Sequence, residues 1–374
     1  MRHYRKISTV KLFVLAVLSL VVLYLVSHAN TRNQWYIVKL EAARKAEAAQ
    51  KAIKEEKINR GLPINTTDDP NASGLIGLQD SLITTDTGFL DSKVMATNPN
   101  LAAVIVQMIR EAKIKPGDLV AVGYSGSFPG ANIAVLSAIE TVELDAVIIS
   151  SVGSSNWGAN EPEFTWLDME HVLADKGIFK HRSVAASLGG KQDIGEGLTA
   201  EVRELMTAAA KRNNIEMINE FNLPNNIYKR LQIYDTEAQK KGKRIKMYIN
   251  VGGGLANLGS GISYMRIPSG LTMKLSRERI AGNGVMFKMA DRGIPVIHIL
   301  KIRELTYQYG LPLRPVNPVI GEGSVFVEAR YNSSVALIGL GVLLLVLAVS
   351  LSVDFFAFSK RKAISHEEHS YIIR

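Results

Sequence analysis

The hydrophobic pattern puts one uncharged apolar run near each end of the chain, and between them a long middle where short apolar runs alternate with amphipathic ones. The first run, residues 12–26 (LFVLAVLSLVVLYLV), follows Arg2, Arg5, Lys6 and Lys11. As a helix it covers roughly 22 Å of a ~30 Å hydrocarbon core, so residues 7–10 must lengthen it while Lys11 snorkels to the interface. Ser27-His28-Ala29 offers small residues at signal-peptidase spacing, so a cleaved leader competes with a retained anchor over residues 12–28. The second run, residues 335–353 (VALIGLGVLLLVLAVSLSV), is a full crossing stopped by Lys360-Arg361-Lys362.

Lysine and arginine set the orientation of such runs. Four precede the first run, against Arg32 and Lys39 just after it; three follow the second, against Arg330 just before it. Both runs therefore point their outer ends to the cytoplasm, at residues 1–11 and 354–374, and the two answers agree. The expected location is a cell membrane with the middle of the chain outside it.

Residues 35–59 are rich in Ala, Glu and Lys, with Glu41–Lys45 and Glu47–Lys51 well placed as i,i+4 pairs. Apolar positions are too sparse for a sustained heptad seam. The pattern predicts a solvated helical stalk and linker over residues 29–74, with a short oligomerising coil as the alternative. From residue 75 to 334 helical patterns alternate with near-continuous apolar runs. LVAVGY, DAVIISS, HRSVAASL, RIKMYINV and IPVIHIL read as strands, with a short one at 215–218, and 131–142, 166–176, 200–213 and 227–241 as helices. Asn98-Pro99 reads as a helix start. Strands of this kind predict a doubly wound α/β domain with a mostly parallel sheet covered on both faces.

Charge and composition refine this picture. The 374 residues carry a formal charge of +9 and no cysteine. Setting aside both terminal segments leaves 36 basic and 32 acidic residues, so most of the excess is an orientation signal. Nucleic-acid binding loses its support. Without disulfides, an exported domain must be held by core burial, which some 250 residues can supply.

Glycines gather directly after the candidate strands: Gly123-Tyr124-Ser125-Gly126-Ser127, Gly153-Ser154-Ser155-Asn156-Trp157-Gly158, Gly189-Gly190-Lys191 and Gly252-Gly253-Gly254-Leu255-Ala256-Asn257. Loops at the carboxyl ends of parallel strands share one crevice, and small residues let backbone N–H groups face a ligand there. Candidate binding residues are Gly123, Gly126, Ser127, Ser154, Asn156, Lys191, Gly253, Gly254 and Asn257; tight turns need glycine too, which is the plainer reading. No Walker sequence is present, and Asn257 stands where a dinucleotide fingerprint needs its third glycine. No cofactor is expected.

Gly123-Tyr124-Ser125-Gly126-Ser127 approximates the nucleophile elbow of α/β-hydrolases. Its fifth position is Ser127 instead of glycine, and Phe128-Pro129 delays the following helix. His298 has the right chain order to serve Ser125 as base, but lies within the apolar strand pattern PVIHIL, where a buried structural histidine is the better fit. Metal ligation has no His or Cys spacing behind it, so no metal is expected. Glu161, Glu163, Asp168 and Glu170 read as a solvated acidic helix face.

The segments GYSGSFPGAN, SSVGSSNWGAN and NVGGGLANLGSG, on a domain held between two apolar runs, resemble the bacterial poly-γ-glutamate system protein family. The resemblance spans nearly the whole chain. It implies a membrane-anchored accessory component of capsule or polymer synthesis and export, whose partners are the other synthesis subunits and the anionic polymer. Lys191, Arg182 or Arg266 would then meet polymer carboxylates. No catalytic residue carries over. The enzymatic alternative is an extracytoplasmic serine hydrolase or amidase cutting the γ-glutamyl polymer through Ser125.

Overall fold

The computed structural model describes residues 8–28, 31–261, 263–275, 282–313, 316–328 and 333–371. The basic residues at positions 2, 5, 6 and 330 used for orientation lie outside them. Two compact units form: residues 1–33 with 327–374, and residues 34–326. The helices are α1 (Thr9–His28), α2 (Tyr36–Asn59), α3 (Leu90–Ala96), α4 (Leu101–Glu111), α5 (Pro129–Val142) and α6 (Trp166–Asp175). They continue with α7 (Ala200–Arg212), α8 (Leu223–Lys240), α9 (Leu255–Leu258), α10 (Val285–Asp291), α11 (Ile302–Gln308) and α12 (Ser333–Tyr371).

In the first unit, Thr9–Ser27 of α1 and Ser333–Ser352 of α12 are long and apolar enough to cross a membrane. They pack as an antiparallel hairpin. Lys11 Nζ donates to the Ser350 carbonyl at 3.2 Å, and Thr31–Arg32 pairs antiparallel with Val327–Glu328 at the other end. A Cβ on Gly339 would lie 2.4 Å from Val22 Cγ1, so glycine permits the close approach midway. The outer ends of the two helices thus lie at one end of the hairpin.

The second unit is built on a mixed sheet of β1 (Leu119–Ser125), β2 (Asp145–Ser151), β3 (Ser183–Ser187), β4 (Glu216–Met217), β5 (Ile245–Val251), β6 (Gly270–Thr272) and β7 (Val296–Ile299). Its order is β6-β7-β5-β1-β2-β3-β4. All pairs are parallel except β6–β7. The doubly wound α/β expectation is met. β1 is wholly buried because its two faces lie under different helix layers. Leu119 and Ala121 join a core with Ile227 and Tyr234 of α8 and Phe287 of α10. On the other face Tyr124 meets Trp166 of α6 edge-on at 5.6 Å and donates to the Asn132 carbonyl of α5.

The solvated stalk is not what forms. α2 lies against α4, α5 and α6, and buries Ala42, Ala43, Ala46, Ala49, Ala52 and Ile53 along one face. Alanine carries too little apolar area to register as a seam, yet its small side chain lets helices pack closely. Two buried lysines flank that face. Lys39 Nζ donates to the Val325 carbonyl at 2.7 Å, and Lys57 Nζ stands 3.0 Å from Glu161 Oε1. The compact unit therefore begins at Gln34, well before residue 75.

The acidic stretch also departs from expectation, because Glu161, Asp168 and Glu170 are buried. Asp168 closes a capping box with Thr165 and pairs with Arg212 at 2.6 Å, while Glu170 accepts from the Ser183 N–H at 2.7 Å. Burial alone pushes the Glu170 carboxyl up to about 7. Asn98-Pro99 forms a turn before the helix and not its cap: Asn98 Oδ1 accepts from the Asn100 N–H at 3.0 Å, and α4 starts at Leu101 with Asn100 as the N-cap.

Candidate functional site

The sheet order reverses between β1 and β5: the chain winds outward through β2, β3 and β4 on one side, then through β5 and β7 on the other. Open α/β sheets bind ligands at the carboxyl ends of the strands flanking such a reversal. A cleft of about 860 Å³ sits there. Its floor is Ser125 at the end of β1 and Ser127 just after it, Ser151 and Gly153 at β2, and Gly253 and Gly254 after β5. Its walls come from Thr85–Phe89, from Lys93 of α3, and from Lys301, Arg303 and Glu304 at α11.

The glycine positions explain how these loops converge. At Gly252 the backbone is left-handed (φ 87°) and a Cβ would lie 2.9 Å from Ser125 Cβ, so the β1 and β5 loops can touch only without a side chain. Gly190, Gln192 and Asp193 are also left-handed, giving residues 189–195 a tight fold. That fold is fastened from behind. Asp193 is fully buried and pairs with Arg230 of α8 at 3.1 Å, and Ser187 donates to it at 2.9 Å. Lys191 is thereby carried to the rim of the cleft.

Along the floor runs a chain of hydroxyls. Ser125 Oγ donates to Ser127 Oγ at 2.9 Å, and Ser127 Oγ also accepts the Ser155 N–H at 3.0 Å. Lys93 Nζ stands 2.7 Å from Ser155 Oγ, bonds the Ser127 carbonyl, and lies 3.9 Å from the centre of the Phe128 ring. Burial lowers the Lys93 ammonium to about 7 against the opposing pull of Asp86. Ser151 Oγ is buried beside them without a hydrogen-bond partner.

Of the residues the sequence singled out, the fold brings Ser125, Ser127, Lys191, Gly253 and Gly254 to the cleft. The others support it from behind. Gly123 is a packing position, where a Cβ would meet Asn257 Nδ2 and Tyr248 Oη at 2.5 Å. Gly126 fits against the Val152 carbonyl, and Ser154 Oγ donates to the Gly126 and Ser155 carbonyls. Asn156 Oδ1 accepts from the Gly88 N–H at 2.9 Å and steadies the wall. Asn257 is buried behind the floor, 3.5 Å from Arg230 Nη1. Arg182 is turned to the Asn213 carbonyl, outside the cleft lining.

The Ser125–His298 pair is not assembled. Gly123, Asn250 and His298 stand in one row across β1, β5 and β7, which puts Ser125 two residues above and two strands away, roughly 12 Å Cα to Cα. His298 is buried with its Nδ1 3.0 Å from Asn250 Nδ2, and burial lowers its pKa to about 4. Nor is Ser125 an elbow: its backbone lies outside the left-handed region, and α5 begins only at Pro129. Lys93 and Ser155 escaped the sequence reading. Lys93 sits in a seven-residue helix too short to show a period, and Ser155 adjoins Ser154 in a loop where nothing local distinguishes the two serines. Among the described residues no three His, Asp or Glu side chains cluster as a metal site requires.

No family model matches the chain, and no curated protein does. A crystal structure of O-ureido-L-serine synthase aligns over 60% of this chain and 72% of that one, at 13% identity and a TM-score of 0.18. A likeness that slight carries no argument about function.

Proposed function

We propose that this protein is a membrane-anchored component of a poly-γ-glutamate-type synthesis or export system whose α/β domain engages a carboxylate-bearing γ-glutamyl chain in the switch-point cleft. The observation that carries the reading is the cleft itself, where a floor of serines and glycines is faced by Lys191, Lys301 and Arg303 against Asp86 and Glu304. Backbone N–H groups, hydroxyls and lysines are the groups that hold a carboxylate. The resemblance in the glycine loops and the apolar hairpin support the same reading. In this proposal α1 and α12 cross the bacterial cytoplasmic membrane, both termini are cytoplasmic, and the α/β domain faces outward beside partner subunits. The hydrolase alternative through Ser125 is the weaker reading, because Ser125 Oγ is bonded to Ser127 Oγ and His298 stands two strands away.

Titration of the full-length protein, in detergent micelles, with a defined γ-glutamyl oligomer tests the reading. Saturable binding that weakens as salt rises is expected, and Lys191→Ala with Lys301→Ala should weaken it at least tenfold. No saturable binding at low salt overturns the polymer-engaging role. Orientation is tested separately, because the chain has no cysteine. A membrane-impermeant maleimide applied to intact cells should label Lys211→Cys and spare Lys362→Cys, and the reverse pattern contradicts the topology.

A further inference from the structure

The cleft holds a second serine that no motif announced, and it has what Ser125 lacks. A serine becomes a nucleophile when a neutral base stands within hydrogen-bond reach of its hydroxyl, and a lysine serves when its surroundings keep it unprotonated. Lys93 Nζ is 2.7 Å from Ser155 Oγ, both line the cleft, and the lysine is buried against the Phe128 ring with an N–H fixed on the Ser127 carbonyl. A neutral amine has two N–H donors and one lone pair. The ammonium donates to Ser155 Oγ and to the Ser127 carbonyl; once it loses a proton it keeps an N–H on Ser127 and can turn its lone pair to the Ser155 O–H. The other charged groups lining the same cleft are Asp86, which acts on Lys93 directly, Lys191, Lys301, Arg303 and Glu304.

Ser155 is itself held in place. Its N–H is bound to Ser127 Oγ, and its residue pairs with Asp86 in a short parallel ladder. A Cβ at Gly88 would lie 2.9 Å from Ser155 Oγ and 3.2 Å from Lys93 Cε, so glycine there leaves room against the pair. Among the described residues Ser151 Oγ, buried on the same floor, has no hydrogen-bond partner.

We infer that Ser155 and Lys93 form a nucleophile–base pair for acyl transfer, acting on an amide bond of a carboxylate-bearing chain; that substrate class rests on the reading proposed above. Ser155 Oγ attacks the amide carbon as its proton passes to the Lys93 amine. The carbon–nitrogen bond then breaks, and the Lys93 ammonium returns the proton to the departing amine, leaving an acyl-serine. Water attacks the acyl carbon, gives a proton to Lys93, and the released Ser155 oxygen takes that proton back. The net reaction is hydrolysis of one amide to a carboxylic acid and an amine, with both side chains restored.

The test treats full-length protein with a fluorophosphonate and locates the adduct by peptide mass spectrometry, alongside γ-glutamyl oligomer binding. The adduct is expected on Ser155. Ser155→Ala should abolish it, Lys93→Met should slow it at least 100-fold, and His298→Gln, buried in the core away from the cleft lining, should change it less than threefold. Circular dichroism on each variant separates loss of chemistry from loss of fold, and Ser155→Thr offers a milder change should Ser155→Ala not fold. An adduct on Ser125, or none on folded wild-type protein, overturns the assignment. Oligomer binding without an adduct refutes the chemistry and leaves the binding role standing; an adduct without oligomer binding does the opposite.

Discussion

Two places in the sheet lie only two residues apart along the strands and behave in opposite ways. In the row Gly123–Asn250–His298 every neighbour closes in. Gly123 has no room for a methyl, the Asn250 amide donates to the Gly252 carbonyl and stands 3.0 Å from His298 Nδ1, and burial holds that histidine's pKa down at about 4. At the rim above, Ser125, Ser127, Ser155 and Lys93 face open volume, and a hydroxyl is left without a partner. The row is the last layer of the core and the rim is the first layer of a site. Polar residues mean packing in one and chemistry in the other, and nothing local in the sequence separates them.

The sharpest way to break this comparison is Lys93→Met. The buried lysine titrates near 7 in the folded protein and near 10.5 when free, so below pH 7 the fold bears the whole cost of burying its charge. That cost fades as pH rises from 7 toward 10.5, where the unfolded chain binds more protons. The variant should raise stability at pH 6 by about 2–4 kcal/mol while losing reactivity at Ser155, as expected where function is held at the expense of stability. Denaturant unfolding at pH 6 checks it. A loss of stability would mean that Lys93 is structural.

His298 should show the matching behaviour at lower pH. Its folded value of about 4 lies below the ordinary 6.5, so between these values the unfolded state carries the extra proton and stability falls as pH drops. The loss should reach about 2–3 kcal/mol by pH 4. Comparing unfolding of wild type and His298→Gln across that window isolates it; an identical slope in both would remove the histidine from the account.

Alanine at two glycines gives the smallest effects. Gly123→Ala, with polar atoms at 2.5 Å, should cost about 1–3 kcal/mol. At Gly253 the sole neighbour within 4 Å is Leu300 Cδ1 at 3.8 Å, so Gly253→Ala should shift stability by less than about 0.5 kcal/mol. Its methyl should instead be felt by a ligand. Equal destabilisation at both positions would erase the distinction between row and rim.

The strands were legible because each is a near-continuous run of Val, Ile and Ala, a pattern that only a sheet covered on both faces produces. The apolar hairpin was legible for the same reason, by composition alone. α2 was misread because its buried face is alanine, which serves exposed and packed helices alike. The glycine loops pointed to the correct edge of the sheet, since strand ends converge in any such fold. Which of their residues face the cleft depends on segments far away in sequence. Lys93 meets Ser155 across 62 residues, and Asp193 meets Arg230 across 37, so neither pair leaves a local signature.

The most direct test of the central claim, that the rim and not the row carries the chemistry, is the pH dependence of fluorophosphonate labelling in wild type and His298→Gln. The rate should rise with an inflection near 7, where the base at Ser155 loses its proton, and His298→Gln should leave both inflection and plateau unchanged. A rate that collapses in His298→Gln, or that rises with an inflection near 4, would place the base in the row and contradict the account.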